Sequence, residues 1–483
     1  VPVIVLTGHD LTRDQLVRVA RSAERVEIDP AAIETMAAGR AVVERALGRG
    51  DRVYGLSTAV GVLKRVGLDG PTAGAYANRI LQHHLVGQGP PAPDEVVRAT
   101  ILCLANAFAG GSCGVRPTLA EHLVQALNGD LGPLPAVRIL GSIGQADLAP
   151  MADLAAGLFA GFELVPGEGL ALLSSNAFST AWVALAVSDA FDLGGALETA
   201  GALSLEGIAA NPSMLHPAIA DVRPYPGIRA ALENLAALLA GSFIWSGDHA
   251  RALQDPLTFR NLAHIQGALR DVLDHMAAQL AIELNASQGN PIVVPAEDRV
   301  VSVANYEVLP LVLAVDYLRI ALASALGAAA ERVVKTLETT WSGLPTGLSP
   351  GPDAAEPGLA YLGIAVQAFA AEARLLAGPV SAEVVSTSHA EGIEDRTTMA
   401  PLAARRLAEM VSLGRRIAAI ELTVAAQASQ LRGLGPRGRG TEQAFQLLRQ
   451  VTPYLDEGDV VGDVQPLVEL VAGGAFSRAA AVA

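Results

Sequence analysis

The side chains in this sequence that carry chemistry are few and widely spaced. Tyr54 opens YGLSTAVG (54–61), His83 and His84 stand side by side, Arg260 follows LQDPLTF (253–259), and Glu394 sits in EGIEDR (391–396). A phenol titrates near about 10 and acts as a base near neutrality only where cations or hydrogen-bond donors stabilise its anion. A guanidinium grips a carboxylate through two parallel donors. Neighbouring histidines point to different sides of a helix, so His83 and His84 cannot form an i,i+4 metal pair, and no metal site is expected. Each residue also has a plain structural reading: a buried phenol with a satisfied hydroxyl, a salt bridge inside a bundle, a solvated carboxylate near a helix cap. No G-x-G-x-x-G follows an expected strand, and Walker and H-E-x-x-H signatures are missing from the sequence.

The elements that must position these groups are mostly helical. Of 483 residues, 51% are hydrophobic but only 4% aromatic, so the core is built from Ala, Leu and Val, which favours helix. Length alone allows about three domains. The net charge of −15 argues against a nucleic-acid partner. With two cysteines, Cys103 and Cys113, a disulfide framework is excluded and a reducing cytoplasm is the expected setting. VPVIVLTGHD has no basic leader region, and the apolar run from 309 carries Asp316 and Arg319 mid-span, which fits a buried bundle helix better than a membrane span.

Helical periodicity is expected over 10–50, with Asp29-Pro30 opening a helix that Gly48 closes. Residues 51–66 read as a loop, 96–127 as helix interrupted by AGGSCGVRP, and 128–150 as a Gly/Pro-rich turn region. Long helices are expected over 307–340, 357–378 and 400–432, with Glu331 and Lys335 paired at i,i+4. GLGPRGRG (433–440) reads as a loop, with Thr441 capping the next helix. The expectation is an all-α chain: a loop-rich N-terminal region over 1–190, then a long-helix bundle over 191–483.

Nine fragments in fixed order tie these residues together: YGLSTAVG, HHLVGQG, SCGVRP, GSIGQADLAPMAD (141–153), EGLALLSSNAFSTA, LQDPLTFR, ELNASQGNP, ANYEVLP and EGIEDRTTMAP. In order and spacing, over nearly the whole chain, they resemble the aromatic amino-acid ammonia-lyase superfamily. The resemblance implies an elongated helical subunit and a homotetramer whose sites draw loops from three chains. It implies Tyr54 as the base for a β-proton and Arg260 as the carboxylate clamp, with Gln254 beside it. It implies His84, or His83 instead, and Glu394 against an imidazole ring, and Arg116 and Tyr306 in the walls. Gln367 is expected near the ring.

The sequence departs from the family pattern at its electrophile. There an Ala-Ser-Gly cyclises to a methylidene-imidazolone within Gly-Ser-x-Gly-Ala-Ser-Gly-Asp-Leu; here Gln145-Ala146 replaces the tripeptide and one residue is lost. Ser174 stands where an asparagine is expected, with Asn176 two residues on, and Leu257 stands for the second tyrosine. No cofactor is therefore expected. An enzyme without the electrophile needs a nitrogen that leaves unaided, and a trimethylammonium departs as neutral trimethylamine. The sequence resembles the ergothionase branch in this respect, which implies elimination from a histidine-derived betaine, ergothioneine or hercynine. Ala146, Ser174, Leu257 and Asp147 would then line the vacated electrophile site. The alternatives are a histidine or aromatic ammonia-lyase with the cyclised tripeptide written as one letter at 146, and a non-catalytic scaffold. Restoring three residues at 146 would make the loop one residue too long.

Overall fold

The computed structural model of the chain describes residues 3–246, 248–351, 356–382 and 389–477. Among the described residues helices dominate, and the strands are six pieces of three or four residues pairing as three two-stranded sheets. The chain divides into two compact units: 1–188 with 276–316 and 379–405, and 189–275 with 317–378 and 406–483. A linear division at 190 lies two residues from the first of these boundaries. It assigns 276–316 and 379–405 to the bundle, whereas they pack with the N-terminal residues.

In the first unit, Ile4–Leu6 pairs in parallel with Val26–Ile28, and Ile292–Val294 pairs antiparallel with Arg299–Val301. Helix Arg13–Ser22 is opened by a Thr12/Gln15 capping box. Helix Pro30–Arg49 starts as expected, with the Asp29 side chain accepting from Ala31 N at 2.7 Å and Pro30 in the first turn. Its terminator is Gly50, not Gly48: Gly50 adopts the left-handed conformation (φ +75°) that closes a helix at little steric cost, while Gly48 lies inside. Val42 and Val43 on this helix pack with Val53, Leu56 and Val293, which ties the loop bearing Tyr54 to the core.

In the second unit the core gathers Leu205, Leu235, Leu238, Phe259 and Leu262. The long helices expected over 307–340, 357–378 and 400–432 are observed as Leu309–Leu337, Leu362–Leu376 and Ala400–Arg432, the first and last of which begin in the first unit, and Glu331 meets Lys335 at 4.0 Å. Thr441 does not cap. The helix begins at Arg439 with Gly438 as its N-cap, and the buried Thr441 hydroxyl instead donates back to Gly438 O at 3.1 Å.

Two apolar helical stretches, Glu168–Ile208 and Leu309–Leu337, are long enough to cross a membrane by length and composition. Their most apolar windows are 89% and 56% buried in protein. Asp316 and Arg319 are both buried in the second of these helices: Asp316 accepts from Val380 N and from Ser381, and Arg319 donates to the Leu376 carbonyl.

Candidate active site

Tyr54 follows the end of the second helix on a tight loop. Its phenol oxygen accepts the backbone N–H of Gly61 at 3.0 Å, and the neighbouring Tyr76 oxygen accepts that of Val60 at 3.2 Å. The Tyr54 pKa is nonetheless raised, chiefly by burial, against the Gly61 donor and with the help of Glu394, Tyr306 and Tyr76. Tyr306 is raised by burial and by Glu394 and Glu307. Tyr54, Tyr306 and Glu394 therefore feel one another in a single electrostatic cluster in the first unit. On these groups alone Tyr54 rests as a neutral phenol; a cation must enter to make it a base.

The altered loop is well anchored. Gly144 O accepts from Asn176 Nδ2 at 3.2 Å and from Thr398 Oγ1 at 2.7 Å, and Ile143 O accepts from Thr398 N and Met399 N. Gly144 has φ +78°, and a Cβ there would sit 2.3 Å from Thr398 Oγ1, so both backbone and packing require glycine. Ala146, buried, is itself left-handed at φ +55°. Asp147 is fully buried at the start of helix Leu148–Leu158. It accepts from Ser179 N and Oγ, both at 2.8 Å, and burial pushes its pKa up to about 6.

Ser174 and Asn176 are both buried. The Ser174 hydroxyl accepts from Asn290 N at 3.2 Å. Asn176 is held by Gln288, a residue to which the sequence reading gave no role although it lies in the quoted ELNASQGNP. Gln288 Oε1 accepts from Asn176 N at 3.0 Å while its amide donates to Glu283 and Thr180. The Asn176 Oδ1 is buried and has no partner among the described residues.

His84 closes helix Gly70–His83. Its Nδ1 lies 2.8 Å from Ile80 O, which leaves Nε2 available as the acceptor; His83 is exposed. Arg116, expected in a wall, has its charge paired within the first unit. It is committed to the buried Glu168 carboxylate through Nε (2.9 Å), Nη2 (2.7 Å) and its own backbone N–H (3.0 Å), a bidentate structural pair.

Gln254, Leu257, Arg260 and Gln367 belong to the second unit. Arg260 ends the short helix Leu257–Arg260, which follows Pro256, and donates to the Gln254 side chain; Leu257 is exposed. Asn211 pins this segment by donating to Leu253 O and to Asp255, and Arg332 donates to Thr258 O at 3.3 Å. Gln367 is spent on Glu331 at 2.9 Å. Among the described residues no group of three or more His, Cys, Asp or Glu could hold a metal.

Comparison with known proteins agrees with the family resemblance of the sequence. A histidine ammonia-lyase from Symbiobacterium thermophilum is 32% identical over 492 residues, covering 97% of this chain and 96% of its own. One from Anaeromyxobacter sp. (strain K) is 34% identical over 508 residues, covering 98% and 99%. Among solved structures, ergothionase from Treponema denticola, in complex with desmethyl-ergothioneine sulfonic acid, superposes with a TM-score of 0.90 at 28% identity over 100% of this chain and 99% of its own. Histidine ammonia-lyase from Trypanosoma cruzi gives 0.90 at 26%, covering 100% and 95%. The aromatic amino acid lyase profile matches residues 11–163 and 159–450, and the chain belongs to that family of carbon–nitrogen lyases.

Proposed function

We propose that this lyase eliminates trimethylamine from a histidine-derived trimethylammonium betaine, ergothioneine or hercynine, giving a urocanate-type product without a methylidene-imidazolone. The observation that carries the reading is the loop Gly144-Gln145-Ala146-Asp147. A methylidene-imidazolone takes its exocyclic carbon from a dehydrated serine, and no residue between Gly144 and Asp147 has a β-hydroxyl. The nearest, Ser142, lies before Gly144 and faces Asp147 and Gly144 N. The residues present do not fit the group.

In the proposed reaction Tyr54 takes the β-proton. The C–H electron pair becomes the new double bond, the Cα–N bond breaks, and its pair leaves on neutral trimethylamine. The substrate's own fixed cation lowers the raised Tyr54 pKa on binding, which supplies the positive charge the resting site lacks. Glu394 and His84, or the exposed His83 in its place, orient the ring. The unpartnered Asn176 Oδ1 suits polarised N-methyl C–H groups at the loop, alongside Ala146 and Ser174. Arg260 and Gln254 hold the carboxylate and Leu257 offers apolar surface, in a homotetramer that joins copies of the chain. The site is complete only in that assembly. Two free cysteines fit a cytoplasmic setting.

The second reading, ammonia elimination from histidine, is favoured by the names of the relatives at 32% and 34% identity. The purified protein decides between them. Trimethylamine and a conjugated ultraviolet product from ergothioneine or hercynine, with none from histidine, support the betaine reading. Ammonia release from histidine overturns it, as does an intact mass heavier than the sequence by two small residues less two waters. Tyr54→Phe is expected to lower kcat by about 10²–10⁴-fold with the fold intact.

A further inference from the structure

We propose that Gln145, standing where the family's electrophile begins, is a positioning residue: it ties the shortened loop to Glu307 and so fixes the two wall segments that carry Tyr306 and Glu394. The inference rests on the betaine reading above and deepens it, because it concerns what holds the substrate ring once the electrophile is gone.

Three segments of the first unit converge on one carboxylate. Gln145 Nε2 donates to Glu307 Oε2 at 3.0 Å, and the backbones of Gln145 and Glu307 form an isolated antiparallel bridge. Arg396 Nε donates to the same oxygen at 2.9 Å. Glu307 follows Tyr306 directly, and Arg396 lies two residues from Glu394. The 391–399 segment is fastened further by Thr398 and Met399 on the carbonyls of Ile143 and Gly144, and by Lys64 and Arg65 on Glu391.

The two legs on Glu307 are unequal. The Arg396 side chain is 55% exposed, so that ion pair is screened and contributes little. The Gln145 leg is part-buried and charge-assisted, which makes it the stronger. The residue type follows from this partner. An alanine would leave the Glu307 carboxylate, among the described residues, with its exposed arginine alone, and a glutamate would set two carboxylates against each other. An amide is the group that donates here without adding charge. The replacement of the electrophile is therefore complementary to its surroundings rather than a remnant.

The test uses the full-length protein with two readouts, one needing no substrate. Amide hydrogen exchange is followed over 304–310 and 391–399, and kcat and KM are measured with whichever betaine the wild type turns over. Gln145→Ala is expected to speed exchange in both segments and to raise KM about tenfold, with kcat changed less. Gln145→Glu is expected to do more. Adding Glu307→Gln to Gln145→Glu exchanges donor and acceptor, and should return exchange and KM to within about threefold of wild type. Unchanged exchange in Gln145→Ala, or a swap that restores nothing, overturns the proposal. A wild type inactive on every betaine overturns the functional reading alone, and exchange still decides the clamp.

Discussion

Glu421 in the second unit and Asp147 in the first are carboxylates buried to the same degree and held in opposite ways. Glu421 faces Arg332 across two long helices, with Nε at 2.6 Å and Nη2 at 3.0 Å, and the Ser204 hydroxyl adds a third bond. Both partners are at most 1% exposed. Asp147 has only hydroxyl and backbone donors, from Ser179 and Ser142, and no cation among the described residues. A buried charge without a counter-charge gives up its ionisation first, hence its pKa of about 6. The difference separates a frame from a site. The paired charges fix backbone, since the same Arg332 holds Thr258 O beneath Arg260. The unpaired carboxylate lies at the end of the altered loop, where burial brings its pKa up to about 6.

The largest effect that can break this contrast is on the frame. Glu421→Ala leaves Arg332 buried and uncompensated, which should cost about 3–5 kcal/mol of stability in denaturant unfolding. Replacing both partners by apolar residues of similar volume, Glu421→Leu with Arg332→Met, should recover most of that loss. A single variant that costs less than about 1 kcal/mol would mean the pair is no frame.

Asp147 sharpens the other side. Its folded pKa of about 6 stands above the ordinary carboxylate value of 3.8, so the folded protein binds the extra proton between them. Stability from this group is fully present below the unfolded pKa and is lost as pH rises through the folded one, to roughly 3 kcal/mol. Asp147→Asn cannot titrate. The stability of wild type relative to this variant should therefore fall by roughly 2–2.5 kcal/mol between pH 4 and pH 7.5, measured by urea unfolding at each pH. A difference that stays flat would reveal a cation neutralising Asp147, and the two carboxylates would then be alike.

The same contrast explains what the sequence could disclose. Helices over 309–337, 362–376 and 400–432 were legible because their apolar periodicity is local and long. The end of the second helix was placed two residues early because two glycines compete there and only Gly50 takes the left-handed turn. Thr441 misled because a threonine before a helical pattern reads as a cap, while the helix had already begun at Arg439 behind Gly438. The strands have three or four residues each, too few for a period to register. For the candidate site, motif order singled out Tyr54, Tyr306, Asn176 and Glu394, and of these Tyr54, Tyr306 and Glu394 share one electrostatic cluster. It was blind to pairings over long separations, such as Arg332–Glu421, Arg116–Glu168 and Gln145–Glu307, 89, 52 and 162 residues apart. No local pattern encodes those, so the commitment of the Arg116 charge to Glu168 was not legible.

The smallest effect tests whether the loop's odd backbone serves the fold or the substrate. Ala146 holds a left-handed conformation that costs an L-residue roughly 1–2 kcal/mol and a glycine nothing. Ala146→Gly relieves that cost, but it adds chain entropy of roughly 0.5–1 kcal/mol and loses a buried methyl of roughly 0.8 kcal/mol. The terms nearly cancel, so stability should move by less than about 1 kcal/mol. If the methyl is a wall against the substrate's N-methyl groups, KM for the betaine should still rise, by about three- to tenfold. Two residues earlier, Gly144→Ala has no such freedom, because its Cβ would collide with Thr398 Oγ1. An Ala146→Gly enzyme with both stability and KM unchanged would remove residue 146 from the site and leave the loop as frame on both sides of the comparison.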